Sequence, residues 1–170
     1  INKVIFSYKQ QEDIQMYDII IIGAGPAGIS AAIYGKSRGK RILMFEKNQV
    51  GGLIGTVSTV THYTAIMKEE SGKTFAERMK EQALSAGVEI RYENVTETKL
   101  IGNIKKIVTD KESYECKTVI LANGGSGRML GVPGESLKGI RLNAPKDGFD
   151  YKGEQHTHRP GVHGVYHRLP

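Results

Sequence analysis

The stretch from Tyr17 to Ser30, YDIIIIGAGPAGIS, decides the fold. Four consecutive isoleucines, Ile19 to Ile22, predict a strand covered on both faces, as in the centre of a parallel sheet. Gly23, Gly25 and Gly28 follow at once on the Gly-x-Gly-x-x-Gly spacing, and Pro26 with the small residues Ala27, Ala31 and Ala32 opens a helix that can pack closely on the sheet. Strand, glycine turn and helix start together make a dinucleotide-binding fingerprint. In it Gly23 permits the turn, Gly25 lets the backbone approach a pyrophosphate, and Gly28 lets helix and strand come close. The free amides and positive dipole end of the helix face the phosphates.

Downstream, the helix is expected to run to about Arg38 and end at Gly39. A second strand, Arg41 to Phe45, delivers Glu46, 18 residues after Gly28 and close to the spacing at which a carboxylate meets the hydroxyls of an adenosine ribose. A long loop, Lys47 to about Glu70, carries Gly51, Gly52, His62 and Tyr63; loops of this length are more often functional than idle. On composition alone His62 is an ordinary loop histidine. Phe75, Met79, Ala83 and Ala86 recur at helical spacing between Ser71 and Ala86, Gly87 ends that helix, and Val88 to Tyr92 predicts a third strand.

Between Val95 and Cys116 the pattern changes to short alternating runs, Val95 to Leu100, Ile104 to Thr109 and Ser113 to Cys116, which predict an antiparallel meander. Thr118 to Ala122 is again an apolar strand and ends in Asn123, Gly124 and Gly125. The expected fold is therefore α/β, a Rossmann-like parallel sheet with flanking helices and a small antiparallel β-meander. Three segments are expected: an extension over 1–15, a domain over 16–153, and an irregular His-rich tail over 154–170. Met16 reads as the natural start, and the tail reads as out of place, as an interrupted or frameshifted gene would leave it.

The bulk properties narrow the classes. The net charge of +6 and isoelectric point near 9.3 invite a nucleic-acid reading, but the signs are interspersed and no aromatic-interleaved basic patch accompanies them. No apolar run approaches the roughly 18 residues of a membrane span, and the first residues lack a basic region followed by an apolar one. The expectation is a cytoplasmic protein without nucleic-acid or membrane partners. The single cysteine, Cys116, excludes an intrachain disulfide and is expected to be a buried, inert thiol. His156, His158, His163 and His167 have no carboxylate-rich partner, so no metal is expected.

Four stretches carry a resemblance: IIIGAGPAGISAAIYGKSRG at 20–39, FEKNQVGG at 45–52, TVILANGGSGRMLGVPGE at 118–135 and DGFDYKG at 147–153. They resemble the FAD domain of the thioredoxin reductase family, within the pyridine nucleotide-disulfide oxidoreductases. The resemblance implies an FAD site in which Gly23, Gly25, Pro26, Ala27 and Gly28 hold the pyrophosphate and Glu46 holds the adenosine ribose. It implies further that Gly51, Gly52 and Leu53 approach the flavin side with His62, that the Val95 backbone meets the adenine, and that Ala122, Asn123 and Gly124 lie near the cofactor. In a complete relative, NAD(P)H passes a hydride to the flavin, and a redox protein partner and a homodimer are compatible with the pattern.

The departures are specific. Leu53 stands where the family usually has Gln, His62 where it has Asn, and Asn123 where it has Thr. The family's redox Cys-x-x-Cys aligns with Asn143, Ala144, Pro145 and Lys146. A dithiol relay needs two sulfurs within bonding reach, so electrons from this flavin would have to leave for another acceptor, such as a quinone, an iron-sulfur protein or a flavodoxin-like partner. No catalytic acid, base or nucleophile can be named from these residues. Two alternatives stay open: an NAD-binding Rossmann domain and a truncated, non-catalytic fragment.

Overall fold

The isoleucine run forms β1, Tyr17–Ile22, and its alternation divides it between two cores. In the computed structural model the described residues are 16–61, 63, 64, 66, 68–125, 131–133 and 137, together with the backbone of 156–158 and 166–168. Successive strand residues point to opposite faces. Ile21, with Ile42 and Met44 of β2 (Ile42–Glu46), packs under α1 (Pro26–Ser37) and α2 (Gly72–Ser85), against Ile29, Phe75, Met79 and Ala83. Ile20, Leu43 and Phe45 face the other way. They meet Ile107, Tyr114 and Cys116 from β5 (Lys105–Thr109) and β6 (Ser113–Leu121). Ile20 and Ile21 are both wholly buried, which is why the run is continuous rather than alternating.

The six strands lie in the order β3-β2-β1-β6-β5-β4, with β3 at Glu89–Tyr92 and β4 at Val95–Lys99. β1 pairs in parallel with β2 and β6, and β2 in parallel with β3. β6 also pairs antiparallel with β5, and β5 with β4. The helical crossovers β1–α1–β2 and β2–α2–β3 cover one face, while the meander replaces a third helix and folds back over the other. The expected α/β fold, with its parallel sheet, flanking helices and meander, is thus the observed one.

Details differ from the sequence reading. The runs expected at Ser113–Cys116 and from Thr118 are one nine-residue strand, because Lys117 inside it reaches out to Asp18 at 2.8 Å and so needs no break. The long loop contains a 3₁₀ helix at Gly52–Thr56 and closes through a bridge between Val60 and Glu70. Within the segment expected to be irregular, β7 (His156–His158) and β8 (Tyr166–Arg168) pair antiparallel. The proposed extension at 1–15 and positions 143–146 lie outside the described residues.

Both helices stop where the sequence places a glycine. Gly39 and Gly87 take left-handed backbone, and their amides bond back to Lys36 O and Leu84 O at 2.9 Å each. Ser71 caps α2 by accepting from Thr74 N at 3.1 Å. Among the described residues no helix is long and apolar enough to cross a membrane.

Phe45 joins the two layers, 1% exposed with its ring 4.8 Å from that of Tyr114. Phe45→Ala is expected to destabilise the chain by about 3–5 kcal/mol, because it removes the ring and leaves a cavity between sheet and meander. Urea unfolding measures this; a loss under about 1 kcal/mol would mean that the meander does not pack on the sheet as described.

Candidate functional site

Most of the residues singled out in the sequence meet at the C-terminal ends of β1, β2 and β6, where the strand order switches direction and the crevice of such a sheet lies. Gly23 leaves β1 with φ +105°, and its amide donates to Phe45 O at 2.8 Å. A side chain there would strike the Ala122 carbonyl, and one at Gly28 would strike the Gly23 carbonyl. Those two glycines are therefore required by packing within the protein.

Gly25 is different. It caps α1 in extended backbone, and a Cβ at this position would find no heavy atom within 4 Å. Pro26 takes the first helical position, where a missing N–H costs nothing. The first turn has no side-chain cap and no acidic residue. The amides of Ala27 and Gly28 thus keep their donor capacity beside the positive end of the helix.

Glu46 ends β2, is 9% exposed, and turns its carboxylate back into the glycine turn. Oε2 accepts from Ala24 N at 2.9 Å and Oε1 from Asn48 N at 2.9 Å. A carboxylate offers about four lone-pair directions, so each oxygen retains one for another donor. The Ala24 carbonyl accepts from Gly51 N at 2.8 Å, which ties the long loop to the same turn. Gly52 follows with φ +57°, and its Cβ position lies 3.6 Å from Gly25 Cα. Leu53 begins the exposed side of the 3₁₀ helix, 66% accessible.

On the far side Ala122 N donates to Ile22 O at 2.8 Å, placing Ala122 and Asn123 against Gly23. Gly124 continues in left-handed backbone with open space around it. Val95 opens β4 and packs partly buried with the Phe45 cluster, two residues after Glu93, whose amide donates to Glu46 O at 3.1 Å. His62 lies outside the described residues. The structure thus gathers Gly23 to Gly28, Glu46, Gly51, Gly52 and Ala122 to Gly124 at these strand ends, with Leu53 next to Gly52 on the exposed 3₁₀ helix and Val95 packed with the Phe45 cluster.

Comparison with known proteins gives this crevice a context. The pyridine nucleotide-disulphide oxidoreductase family matches residues 17–158. The chain belongs to that family. Thioredoxin reductase of Mycolicibacterium smegmatis is 37% identical over 142 residues, covering 82% of this chain and 46% of that protein. Thioredoxin reductase of Peptoclostridium acidaminophilum is 41% identical over 120 residues, covering 71% of this chain and 38% of the relative. Among solved structures, Lactococcus lactis thioredoxin reductase superposes with a TM-score of 0.76 at 30% identity, covering 81% of this chain and 46% of that one. The T. acidophilum enzyme gives 0.72 at 32% identity, with the same coverage. This oxidoreductase-family chain therefore spans less than half the length of these relatives.

Two features escaped the sequence reading. Ala24 and Asn48 supply the amides that hold Glu46, through backbone groups that no side-chain pattern reveals. Glu93, Thr109 and Tyr114 form a buried polar cluster below β4 from positions 16 and 21 residues apart. Cys116 is buried and free, and burial raises its thiol pKa, so it is an inert core residue.

Burial also raises the Tyr114 phenol, and its bonds to Glu112 and Glu93 push the same way, with Arg91 opposing them. A raised acid of this kind adds stability that is complete below the unfolded tyrosine value of about 10 and is lost as the pH rises above it. An alkaline absorbance titration is expected to show one tyrosine that ionises only as the chain unfolds, and that fraction should vanish in Tyr114→Phe. Ionisation of that tyrosine together with the exposed ones, in folded protein, would contradict the cluster.

Proposed function

We propose that this chain is the FAD-binding part of a thioredoxin-reductase-like flavoprotein oxidoreductase. The observation that carries the reading is the unfilled space at Gly25, at the amino end of an uncapped helix and beside the Glu46 carboxylate. Its backbone matches what a pyrophosphate needs: donors, a positive dipole and no side chain in the way.

On this reading Gly25, Ala27 and Gly28 cradle the diphosphate, with Pro26 fixing the start of the helix. The lone pairs left on Glu46 take the ribose hydroxyls, and the Val95 backbone meets the adenine. Gly52, Leu53 and the segment from Ala122 to Gly124 border the flavin end, with Gly51 anchoring the loop and His62 contributing from it. The chemistry that bound FAD supplies is acceptance of a hydride from NAD(P)H and onward electron transfer. The chain's own contribution is to bind, to orient and to exclude water from the dinucleotide.

In the longer protein the acceptor is not reached through a dithiol at 143–146, since Asn143, Ala144, Pro145 and Lys146 stand there. A quinone, an iron-sulfur protein or a flavodoxin-like protein takes that place. The same reading expects a cytoplasmic protein and is compatible with a homodimer and with a redox protein partner.

Gly25→Val separates ligand from fold. Because the position is open and its φ of −77° suits any residue, the melting temperature is expected to stay within about 2 °C. FAD affinity, read by fluorescence titration, is expected to fall at least about tenfold, an effect of roughly 1.4 kcal/mol or more. Equal FAD affinity in the two proteins would remove the cradle from the account.

A further inference from the structure

Beneath the β3–β4 turn lie three buried polar side chains outside the crevice: Glu93 and Thr109 are each 6% exposed and Tyr114 is 7% exposed. Glu93 Oε2 accepts from Thr109 Oγ1 and from the Tyr114 hydroxyl, each at 2.8 Å. A phenol has one proton, and the Tyr114 oxygen also lies 2.7 Å from Glu112 Oε1. Arg91 resolves that competition. Its Nη1 donates to Glu112 Oε1 at 2.9 Å and to the Tyr114 oxygen at 2.8 Å, which leaves the phenolic proton for Glu93. Thr109 Oγ1 accepts from the amides of Lys111 and Glu112, both at 3.1 Å, and gives its own proton to Glu93. Both hydroxyls thus converge on Oε2 of this carboxylate, its Oε1 lies 4.0 Å from Lys111 Nζ, and the ends of β3, β5 and β6 are fixed to one another through it.

Two parts of the crevice hang from this point. Glu93 N donates to Glu46 O at 3.1 Å, joining the turn to the strand end that carries the ribose carboxylate. Asn94 N donates to Asp110 Oδ1 at 3.0 Å, and Asp110 N donates to Asn94 O at 2.9 Å. Both backbone groups of Asn94 therefore face β5, and the alternation of an antiparallel ladder turns the N–H and C=O of Val95 away from it. A register shift between Val95 and Glu97 falls at the same place, where such an irregularity re-aims the strand.

We infer that Glu93, held by Tyr114 and Thr109, is a positioning residue for the adenine edge of the nucleotide. By fixing the β3–β4 turn it presents Val95 N–H and C=O as neighbouring donor and acceptor. That pair matches adenine, whose N1 accepts and whose N6 amino group donates. Hypoxanthine reverses both groups, so it leaves the pair opposed. This inference rests on the reading of Val95 as the adenine contact and names what enforces it.

The test uses the 170-residue chain and calorimetric titration with ADP and with IDP. Wild-type protein should bind ADP more tightly than IDP by at least about tenfold, since both hydrogen bonds are mismatched and one alone is worth about that much. Tyr114→Phe keeps the ring on Phe45 and removes one donor to Glu93; the ADP:IDP ratio should fall toward one, mainly through weaker ADP binding. Glu93→Ala should do the same, and Glu93→Gln, whose amide oxygen can accept both hydroxyl protons, should restore most of the preference. A merely structural cluster would weaken both nucleotides in proportion and leave the ratio intact, and that result overturns the inference. Wild-type protein that binds FAD and ADP without any preference over IDP overturns it alone. Failure to bind FAD or ADP at all overturns the proposed function as well.

Discussion

The Glu46 carboxylate is the contact on which the crevice depends. A glycine-rich turn has more conformational freedom to lose than any other segment of comparable length, so something outside it must fix its shape. Two charge-assisted bonds, to the amides of Ala24 and Asn48, do so from the end of the neighbouring strand. Ala24 is the hub: its amide is held by Glu46 and its carbonyl by Gly51. The turn, the strand end and the long loop are thereby one unit, already shaped before any ligand arrives, which lowers the ordering cost of binding. The same carboxylate keeps lone pairs for further donors, so the residue that builds the turn is also the one to which the proposed function gives the ribose.

That arrangement needs β1 and β2 buried on both sides, because a strand end carrying a carboxylate cannot be precise if the strand moves. Helices cover one face and the meander the other, with Phe45 and Tyr114 in contact across the second interface. A third helix could cover the sheet as well. The meander does something more: it packs Val95 at the start of β4 on the cluster that contains Phe45, and the β3–β4 turn is tied to the end of β2 through Glu93 N and Glu46 O. Packing and site geometry are in this sense the same feature.

Much of this was legible in the sequence, because its determinants are local. The isoleucine run, the glycine spacing, the acid after β2 and the capping glycines each act within a few residues, and the fold followed from them. Long-range pairings were not legible. The runs at Ser113 to Cys116 and from Thr118 are expected as separate, and Lys117 between them finds its partner in Asp18, 99 residues away. The 3₁₀ helix at Gly52–Thr56 is too short to show a period. Glu93 reads as one more surface acid after a strand; only the folding back of the meander brings Thr109 and Tyr114 to it and makes it a buried anchor. For the crevice itself, spacing marks the glycines, whereas the division between those filled by protein atoms, Gly23 and Gly28, and the open one, Gly25, depends on neighbours such as Ala122 that only the fold brings near.

The chain belongs to the pyridine nucleotide-disulphide oxidoreductase family and spans less than half the length of the thioredoxin reductases it matches, over the part of the fold that carries the glycine turn. The most direct test of the account is the visible absorption spectrum of the purified chain after incubation with FAD and desalting. A flavin band that stays with the protein is expected. A colourless protein whose melting temperature rises with NAD but not with FAD would contradict it.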